Sequence, residues 1–158
     1  MNWVKKYKLY IVLLVVMLFS ASLFLFGNKN KIVLGGFPEI VYVKIGNAEV
    51  YPILATSTHM QIVGLSGKNN IKENSGMLFE FATEDYYGVW MKEMRFAIDI
   101  LWADKDMKII YIEKNIKPDT YPNIFSPREV ARYVLEVPSG FVAKHNIKIG
   151  DTFFIKRK

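Results

Sequence analysis

Residues 9–26 form an apolar run of 18 positions without a single charge, in which only Ser20 and Ser22 are polar. As a helix the run would be about 27 Å long at ~1.5 Å per residue, close to the hydrocarbon thickness of a bilayer. It exceeds the ~7–15 apolar residues of a secretory signal. Cleavage after Ser22 would also leave Leu23-Phe24-Leu25-Phe26 at the new N-terminus. We therefore expect a retained single-pass anchor, with a cleaved signal as the alternative. Lys5, Lys6 and Lys8 precede the run and Lys29 and Lys31 follow it. The short basic first flank favours a cytoplasmic N-terminus. The expected organisation is a cytoplasmic segment 1–8, an anchor 9–26, a tether 27–36 and a domain 37–158 outside the cytoplasmic membrane.

The net charge of +6 invites a nucleic-acid reading, but its placement argues against one. Those five lysines come with no acid among them, so residues 32–158 keep 16 of the 21 basic side chains against all 15 acidic ones. A nearly neutral domain lacks the electrostatic footprint of a nucleic-acid-binding face. The expected partners are the membrane itself and an envelope ligand or protein. The chain has no cysteine, which excludes disulfides, thiolate catalysis, Cys-based zinc sites and a lipid-modified cysteine.

Beyond the tether, short β-rich stretches alternate with turn residues, the pattern of an all-β domain. Strands are expected over 40–45, 49–54, 77–81, 89–91, 98–103, 108–113, 131–137 and 152–156. Gly46-Asn47 suits a tight hairpin turn between the first two. A short helix over 58–65 would be capped by Ser57 or Thr58 and closed by Gly67. A second would run from Ser139, as N-cap, to about His145. Pro118, Pro122 and Pro127 make residues 114–130 an irregular connection. Eight antiparallel strands and two short helices imply a β-sandwich or a partly closed barrel, the architectures that protect sheet edges.

A set of segments in this order carries a family resemblance: Gly64-Leu65-Ser66-Gly67, Ser75-Gly76-Met77-Leu78-Phe79-Glu80-Phe81, Trp90-Met91-Lys92 leading to Ile98-Asp99-Ile100, Val134-Leu135-Glu136-Val137-Pro138-Ser139-Gly140, and Gly150-Asp151. Over roughly residues 40–156 the chain resembles domain-of-unknown-function family 192. The resemblance implies a compact β-sandwich-like domain behind a signal or membrane anchor, and brings no activity with it.

Motifs with established chemistry fail on inspection. Gly64-Leu65-Ser66-Gly67-Lys68 resembles half a phosphate loop, yet Ile62 stands where the first glycine belongs and Asn69 where Ser or Thr would bind magnesium. Ser139 is no nucleophile elbow, because Val137 and Phe141 replace its flanking glycines. His59 and His145 have no third ligand at suitable spacing, and Asp104-Lys105-Asp106 reads as a solvated turn. No metal or cofactor is expected.

The candidate ligand-binding residues are Trp90, Lys92, Asp99 and Glu136. Alternation places Asp99 with Leu101 and Ala103, opposite Ile98, Ile100 and Trp102. Buried there, it needs Lys92, Arg95 or backbone amides as partners. One reading has Trp90, Lys92 and Asp99 lining a pocket. The other has Asp99 pinning strands together, with Trp90 and Trp102 in the core. Glu136, between Leu135 and Val137, is a second internal carboxyl open to the same two readings. Tyr86, Tyr87 and Trp90 form an aromatic cluster that would suit carbohydrate stacking, or would serve equally as the large side chains a small β domain needs for its core. We expect a binding or accessory module at the cell envelope. The alternative is an envelope-polymer hydrolase using Lys92, Asp99 and Glu136, which requires those groups around one substrate atom.

Overall fold

A computed structural model describes residues 41–157. The cytoplasmic segment, anchor and tether expected over residues 1–36 lie outside the described residues. Twelve elements follow in order: β1 (Val41–Ile45), β2 (Ala48–Ala55), α1 (Thr58–Val63), β3 (Ser75–Asp85), β4 (Val89–Trp90), β5 (Ile98–Ala103), β6 (Ile109–Ile116), a 3-10 turn (Pro118–Thr120), β7 (Ile124–Phe125), β8 (Ala131–Pro138), α2 (Phe141–Lys144) and β9 (Phe153–Arg157). Seven strands make one sheet in the order β6-β5-β8-β3-β2-β1-β9, and β4 pairs with β7 separately. The expected hairpin joins β1 to β2 through Gly46, whose φ of +57° belongs to the left-handed region that glycine enters without steric cost.

The sheet curls until its two outer strands approach each other. Lys108 bridges Thr152, the Ile109 amide donates to the Asp151 carbonyl at 2.8 Å, and the Phe153 amide donates to the Met107 carbonyl at 2.8 Å. The domain is thus mostly β, a curled half-barrel with two short helices. One pairing departs from the antiparallel expectation: β2 and β3 run parallel, with α1 and its flanking loops as the crossover. A parallel pair needs such a long connection, because its strands must re-enter the sheet from the same end.

Both faces of the sheet are buried along β5, β8 and the first half of β3, whereas β2 alternates between a buried and an exposed face. Inside the curl, Val43, Ile45, Leu101, Tyr133, Leu135, Val137, Phe141 and Phe153 form one core. On the outer face, Met77, Phe79, Met94, Ile98, Ile100, Trp102 and Val134 form a second. All six residues of β5 are consequently buried, which is why its sequence reads as a continuous apolar run around Asp99.

Local details correct three expectations. The proline-rich connection contains a strand, β7, short enough to fall between the prolines and paired with β4. Helix α1 closes at Gly64 rather than Gly67, since Gly64 adopts φ 56°, ψ −133° and its amide returns to the Met60 carbonyl. Ser57 caps the other end as expected, accepting from the Met60 amide. Helix α2 starts later than Ser139: Gly140, at φ 87°, is its N-cap, and the Ser139 hydroxyl donates instead to Asn115 Oδ1 at 2.9 Å.

Candidate functional site

Asp99 is 1% accessible and lies on the inner face, as alternation requires. Its partners are backbone amides. Asn115 donates to Oδ1 at 2.8 Å and Val142 donates to Oδ2 at 2.9 Å. The first bond arises from a bulge: Ile98 pairs with Ile116 while Ile100 pairs with Glu113, so β6 carries one extra residue there. Asn115 takes a left-handed φ of 52°, which turns its amide out of the ladder and toward Asp99. The second bond satisfies an amide in the first turn of α2, which no side chain of its own N-cap reaches. Asp99 therefore ties a bulge to a helix, and it acts as a structural pin.

Glu136 faces the other way. It pairs with Ile100 on one side and Met77 on the other, and its side chain enters the outer core, where only 5% of it is accessible. There it meets a cavity of about 480 Å³, within the range typical of small-molecule sites. Glu136 and Val134 form part of its floor, with Phe79, Phe81, Tyr86, Tyr87, Trp90 and α1 around them. The Glu136 Oε2 atom is buried with no hydrogen-bond partner among the described residues. Burial pushes its carboxyl up from the ordinary 4.5 to about 8, since desolvation disfavours the charged form.

The walls are held by specific contacts. Phe81 and Tyr87 stack with ring centroids 3.4 Å apart and planes 8° apart, and Phe79 continues the row at 6.4 Å from Phe81. The loop carrying Tyr86 and Tyr87 is fixed by Trp102 Nε1, which donates to the Tyr87 carbonyl at 2.8 Å, and by the Tyr87 hydroxyl, which donates to the Thr83 carbonyl at 2.8 Å. On the opposite side, the Ser66 hydroxyl donates to the Lys92 carbonyl at 2.7 Å and the Gly67 amide donates to the Glu93 carbonyl at 2.9 Å. These bonds join the segment after α1 to the segment after β4. Around the mouth, Ile62, Val63, Tyr86, Trp90 and Ile124 are exposed, between 40% and 63% accessible.

Of the four candidate residues, the structure brings Trp90 and Glu136 to the pocket. Asp99 lies on the far side of the sheet, and Lys92 contributes its backbone carbonyl while its side chain is not among the pocket lining. Lys92, Asp99 and Glu136 do not surround one point, so the geometry required by the hydrolase alternative is not formed. Trp90 is 44% accessible and stands at the rim, whereas Trp102 is fully buried. The sequence reading missed Gly64, Phe79 and Phe81 as pocket residues. The signal was available in Phe79 and Phe81, which share the strand face of Met77, but nothing local shows that this face is left partly uncovered.

Three comparisons bear on this geometry. The family model for domain-of-unknown-function family 192, described as Uncharacterized ACR, matches residues 41–155. A crystal structure from Sinorhizobium meliloti 1021, whose description proposes a transcription regulator, superposes with a TM-score of 0.68 at 27% identity, covering 73% of this chain and 92% of that one. A protein of unknown function from Novosphingobium aromaticivorans DSM 12444 superposes with a TM-score of 0.66 at 24% identity, covering 73% of this chain and 83% of that one. No curated protein matches.

Proposed function

We propose, from the premise that this chain belongs to domain-of-unknown-function family 192, that its β domain is a binding module whose ligand enters the pocket above Glu136. The observation that carries this reading is the unpartnered Oε2 of Glu136 at the floor of an aromatic-walled cavity of about 480 Å³. A buried carboxyl without a partner costs the fold free energy. Such a cost persists at functional sites, where an incoming group supplies the missing interaction. The apolar walls would provide affinity by desolvation, and the single acidic group would orient the ligand.

The finer placement belongs to the same proposal. Residues 9–26 would anchor the chain in the cytoplasmic membrane and hold the domain at its outer face, where the ligand is an envelope component or is carried by a protein partner. The balance of 16 basic against 15 acidic side chains over residues 32–158 supports a partner other than nucleic acid. For this reason the regulator described for the Sinorhizobium meliloti protein is not extended to this chain.

Thermal unfolding in the presence of small aromatic and aliphatic compounds tests the proposal. A compound at about 100 times its Kd should stabilise the domain by about 2.7 kcal/mol. Trp90→Ala should weaken it at least about tenfold, because a truncated aromatic anchor commonly costs more than ~1.4 kcal/mol. Stabilisation that survives Trp90→Ala undiminished, or no stabilisation by any compound, would contradict it.

A further inference from the structure

Among the described residues, the pocket lining holds one carboxyl, that of Glu136, and no lysine, arginine or histidine. The remaining titratable groups in the lining are the hydroxyls of Tyr86 and Tyr87. The stacked rings of Phe79, Phe81 and Tyr87 and the ring of Trp90 line the same space. Resting on the reading of this pocket as a ligand site, we propose that it takes an organic ammonium compound with an apolar body. The ammonium pairs with the Glu136 carboxylate and lies against the aromatic walls, and the apolar body extends toward Trp90 and Ile62 at the mouth.

Three features select this chemistry over its neighbours. An anion would find no cation in the lining and would meet the one acid. A neutral hydroxyl would satisfy a hydrogen bond but would gain nothing from the ring quadrupoles, which attract cations within about 6 Å of a ring centroid. An ammonium uses both. Room for it is provided by Gly64: a Cβ built there would lie 3.9 Å from Glu136 Oε2 and 3.8 Å from the Phe79 ring. The glycine therefore leaves a gap beside the carboxyl that any other residue would begin to fill.

The proton balance gives this ligand class a signature. In the free protein burial holds the Glu136 carboxyl protonated up to about pH 8. An ammonium ion that pairs with the carboxylate displaces that proton into solution. Affinity should then rise about tenfold per pH unit below pH 8 and level off above it, by linkage. A neutral ligand that accepts a hydrogen bond from the protonated acid behaves oppositely and loses affinity above pH 8.

Calorimetric titration of the full chain in neutral detergent with 2-phenylethylamine, 3-phenylpropan-1-ol and 3-phenylpropanoate separates the cases. We expect the amine to bind at least tenfold more tightly than the other two at pH 8. Its affinity should increase about fiftyfold from pH 6 to pH 8, with proton release visible as a dependence on buffer ionisation heat. Glu136→Gln should remove both the preference and the pH slope. If the alcohol or the carboxylate binds as tightly as the amine and Trp90→Ala weakens it, the ammonium assignment is overturned while the pocket reading stands. Should none of the three bind, or should Trp90→Ala leave all three unaffected, both are overturned.

Discussion

Asp99 and Glu136 are carboxyls on neighbouring strands, one register step apart, since Asp99 opposes Val137 and Ile100 opposes Glu136. The pleat sends them to opposite faces. Both Asp99 oxygens accept backbone amides, whereas Glu136 Oε2 accepts none among the described residues. Asp99→Ala should therefore leave two amides without their acceptor, that of Val142 buried and that of Asn115 partly buried, and cost about 3 kcal/mol in urea denaturation, since an unsatisfied buried donor costs ~1–3 kcal/mol. It should leave pocket affinity unchanged. Glu136 makes stability fall with pH. Its folded carboxyl titrates near 8 rather than 4.5, so between those values the folded state keeps a proton that the unfolded chain releases. The stability this protonated carboxyl contributes is fully present below about pH 4.5 and is lost as pH rises through about 8. Glu136→Gln should match wild type at pH 4.5 and exceed it by several kcal/mol at pH 8, because each tenfold difference in proton affinity between folded and unfolded chains is worth roughly 1.4 kcal/mol. The sequence placed Asp99 on the correct face and offered backbone amides as partners. It could not separate the two carboxyls, because each sits between apolar residues and only the covering layer distinguishes them.

At the scale of elements, β3 supplies two of the pocket's aromatic walls, Phe79 and Phe81. Its first half, which includes Phe79, is locked between β2 and β8, and Phe81 follows just beyond. The lock depends on Gly76, where a Cβ would collide with the carbonyl oxygen of Glu136 on β8. Two paired backbones cannot give way as a flexible side chain can, so Gly76→Ala should cost about 3 kcal/mol or more. Differential scanning calorimetry would register this as a Tm lowered by about 10 °C or more, at ~4–8 °C per kcal/mol for a domain near 100 residues. The strands themselves were legible, because alternation and the Gly46-Asn47 turn are local signals. The parallel β2–β3 pairing was not, because pairing direction is set by the crossover and not by either strand. Likewise β7 is two residues long and its pairing with β4 is its defining feature. The position of α1's end was not legible for a related reason: Gly64 and Gly67 are both competent helix terminators, and the choice falls to the bonds of Ser66 and Gly67 with the segment after β4.

For the molecule as a whole, the curled sheet makes two cores, and the outer one is completed by loops, α1 and the small β4–β7 sheet instead of a second large sheet. Such a cover leaves a gap over Glu136 rimmed by exposed apolar side chains. The half-barrel was within reach of the sequence, since the count and spacing of strands bounded it. The gap was not, because it is the space left between segments distant in sequence. Membrane attachment belongs to this scale too. We expect the full chain to sediment with membranes and resist extraction by high salt, while removal of residues 1–36 releases it; salt-extractable full-length protein would contradict the anchor. The measurement that bears most directly on the pocket as a ligand site is amide chemical-shift mapping of a small-fragment library by NMR. Binding fragments are expected to shift the amides of residues 62–66, 86–90 and 134–136 together. Fragments that gather elsewhere on the domain, or that leave those three segments unmoved, would contradict it.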